Sequence, residues 1–318
     1  MRTEKFFQTM RDGTEISVNR WLPDSDDDIK AVIVLSHGML EHSLRYDRIG
    51  SELADKGFVF NAHDHRGHGR TAHNAEQKGK GEFGVLARKD GFNTVEKDLE
   101  EVVDRVRSDY PDKKIILFGH SFGSFVSQAF IERNSSAVNA CILCGTAGPQ
   151  KQAVNLGLFV TNLLSLFHKY NYKSAWLQKT VYSGYYKRIE KHENGFEWIS
   201  KSQSNIDMYL NDSWCGGIAS LEFFHDMFAG MKEIHKNANM KKIAKNLPVF
   251  MIAGGDDPVG SYGKTIENLK DIYIKNGMKD VSVKLYEGYR HEILNEEISD
   301  TVLQDVIEWI EKHLVPID

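Results

Sequence analysis

Two hydrophobic rhythms alternate along the chain. Short, nearly continuous apolar runs occur at Ala31–Ser36, Phe58–His63, Lys114–Phe118, Ala137–Gly145, Pro248–Gly254 and Val281–Glu287. Runs of this length and texture predict strands buried on both faces. Between them lie longer segments with apolar residues on one helical face: Leu44–Lys56, Thr94–Tyr110, Phe122–Arg133, Tyr262–Asn276 and Thr301–Leu314. Strand–helix alternation of this kind predicts an α/β fold, a mostly parallel sheet with helices on both faces. Ahead of it, Glu4–Met10 and Glu15–Leu22 read as a hairpin turned by Asp12-Gly13, which brings the expected sheet to eight strands.

The alternation breaks between about residues 147 and 246, where aromatics and helix formers dominate and no strand-like run appears. The expected organisation is a core of residues 1–146 and 247–318, with a helical cap of residues 147–246 inserted between the sixth and seventh strands. Within the cap, Leu156–Phe167 is strongly apolar but too short to span a bilayer. It reads as cap core, as the wall of an apolar tunnel, or as a patch making transient contact with a membrane surface.

Composition narrows the function classes. At 318 residues and 41% hydrophobic, the chain can bury a sizeable core. A net charge of −5 with no basic stripe argues against nucleic acid as a partner. The acidic run Asp24–Asp28 reads as a solvated loop. Three cysteines, Cys141, Cys144 and Cys215, are too few for a disulfide framework, and the first two fall on opposite faces of one strand. The first residues lack an apolar leader-like run, so a cytoplasmic location is the expectation. Oligomeric state is not legible.

Candidate chemistry centres on Gly119-His120-Ser121-Phe122-Gly123, a G-x-S-x-G that follows one apolar strand and opens a helix. In that context it predicts a nucleophile elbow, with glycines where any Cβ would strike neighbouring backbone. An elbow needs an acid and then a histidine further along the chain. Pro248–Gly254 delivers Asp256 and Asp257 into a loop, and Val281–Glu287 is followed by His291. Two carboxylates compete for the acid role. Asp257 is preferred because the proline behind it pins an extended loop start, whereas Asp256 reads as a solvated turn residue. Ser121 would attack an acyl carbon, His291 would take its proton, and Asp257 would orient the imidazole. Backbone N–H groups of Met39, after the strand at Ala31–Ser36, and of Phe122 are the expected oxyanion donors. The dense His63-Asp64-His65-Arg66-Gly67-His68 resembles a metal cluster, but no second ligand group accompanies it, so neither metal nor cofactor is expected.

Taken together, His37-Gly-Met-Leu-Glu-His-Ser-Leu-Arg-Tyr46, Asp64-His-Arg-Gly-His-Gly69, Gly119-His-Ser-Phe-Gly-Ser124, Asp212-Ser-Trp-Cys-Gly216, Gly255-Asp-Asp-Pro-Val-Gly260 and Arg290-His-Glu-Ile-Leu294 span nearly the whole chain in order. The chain resembles the α/β-hydrolase superfamily, and within it the monoacylglycerol lipase/lysophospholipase-like group, often labelled serine aminopeptidase S33. The resemblance implies Ser121, Asp257 and His291 as the triad, Met39 and Phe122 as the oxyanion hole, and a helical lid. It also implies a serine esterase acting on a small-molecule or lipid ester. The motif Asp212-Ser-Trp-Cys-Gly-Gly departs from the group's D-P-L-C-G-F, and Leu40 and Trp214 are expected to line the acyl pocket. A serine aminopeptidase or amidase is the competing reading, with Glu190, Glu193, Glu197 and Asp207 available to meet a substrate amine. A binding protein that has kept the fold without its catalysis is a third.

Overall fold

The computed structural model describes residues 1–189 and 193–314. Eight strands form one sheet: β1 (Arg2–Thr9), β2 (Glu15–Leu22), β3 (Ala31–Ser36), β4 (Phe58–His63), β5 (Lys114–His120), β6 (Ala140–Cys144), β7 (Val249–Gly254) and β8 (Val281–Tyr286). Their order across the sheet is β1-β2-β4-β3-β5-β6-β7-β8. β1 pairs antiparallel with β2, and β2 with β4; β3 to β8 run parallel.

The helices are α1 (Asp47–Asp55), α2 (Gly69–Gln77), α3 (Gly91–Asp109), α4 (Phe122–Asn134), α5 (Lys151–Ser165), α6 (Ala175–Tyr182), α7 (Gln203–Asn211), α8 (Leu221–Ile234), α9 (Asn237–Met240), α10 (Lys264–Lys275) and α11 (Ser299–Leu314). Five of them, α5 to α9, lie in the chain between β6 and β7. Serines cap three of these helices: Ser174, Ser202 and Ser220 accept from the amides of Leu177, Asn205 and Phe223.

The strand alternation sorts the core into two layers. Val32, Val34, Leu117, Cys141, Leu143 and Met251 pack with α3, α4 and α8 on one face. Ala31, Ile33, Leu35, Phe118, Ile142, Cys144 and Ile252 pack with α1 and α11 on the other. Cys141 and Cys144 thus belong to different layers, as their spacing predicts.

Two local differences from the sequence reading have identifiable causes. α2 carries no apolar stripe; it forms because Asp64 accepts from the Arg70 amide at 2.8 Å and the Thr71 hydroxyl donates to the Asp64 carbonyl at 2.8 Å. β6 starts later than its apolar run, since Ser135–Ala137 forms a 3₁₀ turn and the Asn139 side chain accepts from the Ile115 amide.

Candidate active site

At the end of β5 the chain turns through Ser121 with φ 52° and ψ −120°, a conformation that costs a non-glycine residue about 1–3 kcal/mol. The flanking glycines make the turn sterically feasible. A Cβ on Gly119 would lie 2.7 Å from the Gly123 carbonyl oxygen, and one on Gly123 would lie 1.9 Å from the Ser36 carbonyl oxygen. Phe122 opens α4, whose first amides have no partner within the helix.

The parallel sheet brings the loops after β5, β7 and β8 to one edge. There the Ser121 hydroxyl stands 2.8 Å from Nε2 of His291, and Nδ1 of His291 stands 2.9 Å from an Asp257 oxygen. The other Asp257 oxygen accepts from the Val259 amide at 2.9 Å. Asp257 is fully buried and His291 nearly so. Asp256 instead faces outward and pairs with Lys201 at 3.3 Å. Burial opposes protonation of His291, but the charge and hydrogen bond of Asp257, backed by Glu292 and Glu41, raise its pKa above the ordinary 6.5. His120, its ring 5.0 Å from that of His291, goes the other way: burial and the His291 charge lower its pKa to about 3.

Met39, Ser121 and Phe122 open together into a cavity of about 580 Å³. Its walls come from α4 (Phe125), α5 (Val154, Val160), α6 (Leu177, Val181) and α8 (Met227, Met231), with Tyr185 and Trp198 alongside. No carboxylate lines it among the described residues, and Lys187 at its rim is a cation.

Two expected pocket residues fall elsewhere. Leu40 is buried with φ 54°, and its carbonyl accepts from the Tyr209 hydroxyl at 3.0 Å and the Gly216 amide at 3.1 Å. Trp214 lies edge-on to His42, with ring centroids 5.5 Å apart, in a separate open groove that Ser121 does not reach. The physical cause is a pair of contacts that draws this turn toward His42: Asp212 takes the His42 ring at 2.8 Å and the Trp214 amide at 2.8 Å. Of the acids offered for amine recognition, Glu190 lies outside the described residues. Glu197 folds back to accept from the amides of Glu193, Asn194 and Gly195, while Glu193 and Asp207 are exposed.

The histidine-rich run builds packing. His37, His63, His65 and His68 are buried with ring centroids as close as 4.2 Å. Burial lowers all four pKa values, to about 4 for His63 and His68. Asp64 braces the loop by accepting from the Ser43 amide and hydroxyl, and Arg66 makes a two-pronged pair with Asp98 at 2.6 Å.

Periodicity gave no hint of a buried polar cluster beside Ser121, His291 and Asp257. Arg45 donates to Glu41 at 3.0 Å, to both Glu292 oxygens at 2.5 and 2.8 Å, and to Asn205 at 3.0 Å. The only sequence signals are the Glu41/Arg45 spacing of four and a glutamate next to His291.

The family model described as "Serine aminopeptidase, S33" matches residues 27–298. Monoglyceride lipase of Homo sapiens is 33% identical over 94% of this chain and 88% of its own length. Monoacylglycerol lipase of Mycolicibacterium smegmatis is 25% identical over 95% of both. Among solved structures, a thermostable carboxyl esterase from Bacillus coagulans superposes with a TM-score of 0.87 at 26% identity, covering 99% of this chain and 100% of its own. The match over most of the chain and the eight-stranded architecture lead to one conclusion: the chain is an α/β-hydrolase and belongs to the serine aminopeptidase S33 family.

Proposed function

We propose that this carboxylic ester hydrolase is a serine esterase acting on monoacylglycerol or lysophospholipid-type lipids through an acyl-enzyme. The observation that carries the reading is the unbroken hydrogen-bond chain Ser121–His291–Asp257 opening into an apolar cavity. Nε2 of His291 takes the Ser121 proton as Oγ attacks the ester carbonyl carbon. The Met39 and Phe122 amides donate to the oxyanion, and Asp257 stabilises the imidazolium. The imidazolium then returns its proton to the leaving alcohol oxygen as the C–O bond breaks. A water molecule, deprotonated by the same imidazole, attacks the acyl carbon, and Ser121 departs reprotonated. The segment 147–246 serves as the cap that keeps bulk water from this site.

The lipid part of the reading draws on the cavity walls and on the named substrates of the relatives. The aminopeptidase alternative is disfavoured, since among the described residues a substrate ammonium would meet a lysine lining the cavity and no carboxylate. The outer face of α5 presents Leu156, Phe159 and Leu163 to solvent, followed by Leu166 and Phe167, with Trp176 of α6 also exposed. An apolar face of this kind suits contact with a lipid surface. Among the described residues no helix is long and apolar enough to cross a membrane.

The test compares kcat/KM for monoacylglycerols, lysophospholipids and aminoacyl anilides, with Ser121→Ala as the control. Faster turnover of the anilides, or ordinary activity in Ser121→Ala, overturns the proposal.

A further inference from the structure

Three pieces of chain approach the triad from different parts of the sequence. The segment after β3 carries Gly38 and Met39; the loop after β8 carries His291; the cap contributes α7. One guanidinium touches all three. Arg45 grips Glu292, the residue next to His291, with two short hydrogen bonds. It also reaches Glu41, whose other oxygen accepts from the Gly38 amide at 2.5 Å and the Tyr46 hydroxyl at 2.9 Å. From α7, Asn205 closes a ring: its carbonyl oxygen takes Arg45 at 3.0 Å and its amide donates to Glu292 at 2.7 Å. One turn further along α7, the Tyr209 ring lies beneath the guanidinium at 4.9 Å, and its hydroxyl holds the Leu40 carbonyl.

We infer that Arg45, Glu292 and Asn205 are positioning residues for ester cleavage, locking the oxyanion loop, the histidine loop and cap helix α7 into one register. The inference rests on the triad assignment proposed above. Burying one arginine with two glutamates is worthwhile only when its charge is well partnered, and here each terminal nitrogen of Arg45 makes two hydrogen bonds. Glu292 and Arg45 are both buried, so loss of Arg45 strands the Glu292 charge close to His291, whereas loss of Glu292 leaves Arg45 with Glu41 as its one anionic partner in the cluster. A Glu–Arg pair of this kind fixes geometry through directional hydrogen bonds, which a hydrophobic plug of the same volume would not.

The arrangement also has an electrostatic side. Facing His291 are Asp257 from the loop after β7, His120 from the elbow, Glu292 on its own loop, Glu41 and Arg45 from the segment after β3, and the Trp198 ring at 5.1 Å from the cap. Burial pushes the Glu292 carboxyl up, but the Arg45 charge and hydrogen bonds, with that of Asn205, hold it below the ordinary carboxylate range. It therefore stays ionised and adds to the field that favours imidazolium. Glu292 thus has two separable effects: position, shared with Arg45 and Asn205, and charge, which is its own.

The experiment separates them. Glu292→Gln, Asn205→Ala and Arg45→Lys are assayed for kcat per active site, titrated with a fluorophosphonate, and for the pH profile of kcat/KM. Each should lose about 10- to 100-fold in kcat per titrated site, with KM changed less than about twofold. In Glu292→Gln alone the acid limb should also move to lower pH, by up to about one unit. Asp207→Asn, exposed on the same helix, should match the parent. A purely structural role would instead reduce the titratable fraction and leave kcat per site and the acid limb unchanged, and that result overturns the inference. If Glu292→Gln does not fold, Asn205→Ala decides by its kcat per site. Activity surviving in Ser121→Ala would defeat the triad assignment itself, a different outcome from parental behaviour in these three variants.

Discussion

Asp257 sits 2.9 Å from Nδ1 of His291, while Asp256, one residue earlier, points outward to Lys201. The Asp257 amide donates to the Gly254 carbonyl and the Val259 amide donates to the Asp257 side chain, so the loop turns only the second carboxylate inward. Asp257→Asn should lower kcat by about 10⁴, because an amide holds the imidazole in the wrong tautomer. Asp256→Asn should change it less than about twofold. Steady-state kinetics on a soluble short-chain ester checks both, and the reverse order would reassign the acid.

The same pair sets the pH dependence. On the proposed mechanism the base is the neutral imidazole of His291, and its pKa is raised above 6.5, so kcat/KM should climb with pH through a midpoint above that value. Removing the Asp257 charge should bring the midpoint down. A pH–rate profile with an acid limb below 6 in the parent enzyme would contradict this electrostatic account.

The buried histidines make a separate prediction about stability. His37, His63, His65, His68 and His120 all have lowered pKa values in the folded chain, with burial the largest cause. The unfolded chain therefore binds more protons below about pH 6.5, and stability should fall as pH drops from there toward 4. Urea melts between pH 7.5 and 5 should lose midpoint steeply, and His63→Gln should reduce the slope by about one proton. Midpoints constant over this interval would show the cluster charged or hydrated.

Chain-length preference should be set by α8 and α5, not by Trp214. Each buried methylene of the acyl group contributes up to about 0.8 kcal/mol, or nearly fourfold in kcat/KM, until the cavity is full. Met231→Trp should move the optimum across C2 to C16 esters to shorter chains, whereas Trp214→Ala should leave it in place. A shift with Trp214→Ala would return that residue to the acyl pocket.

Elbow geometry gives the most direct steric test. A methyl at position 123 would overlap the Ser36 carbonyl oxygen, which belongs to a central strand and cannot retreat. Gly123→Ala should abolish activity and destabilise the fold by several kcal/mol. Parental thermal stability in that variant would be incompatible with the turn described here.

Much of this was readable from residues alone, for reasons that can be named. Parallel strands buried on both faces announce themselves as unbroken apolar runs, and the elbow glycines have no steric substitute. A single proline favoured Asp257 over Asp256, and Asp257 is the carboxylate that lies 2.9 Å from the His291 ring. What escaped was held by side-chain hydrogen bonds across long sequence separations. α2 depends on Asp64, the placement of Trp214 on a contact between Asp212 and His42, and the Arg45 cluster on Glu292, which is 247 positions away. No local pattern encodes such pairings.

Contacts between residues 197–209 and the loops that carry Leu40 and His291 gather along one margin. Arg290 donates to the Glu197 and Ser200 carbonyls, the Lys201 amide donates to Glu296, the Glu292 amide to Ile199, and Tyr209 to Leu40. The wall from α5 and α6 is mostly aliphatic, and its outer face exposes apolar side chains. On the proposed assignment, change along the first margin should disturb the imidazole and the oxyanion loop together, whereas change along the α5–α6 wall should alter the shape of the acid admitted. Breadth of substrate and competence for chemistry would then sit on separate rims, so that one could be redesigned without touching the hydrogen bonds that hold the other.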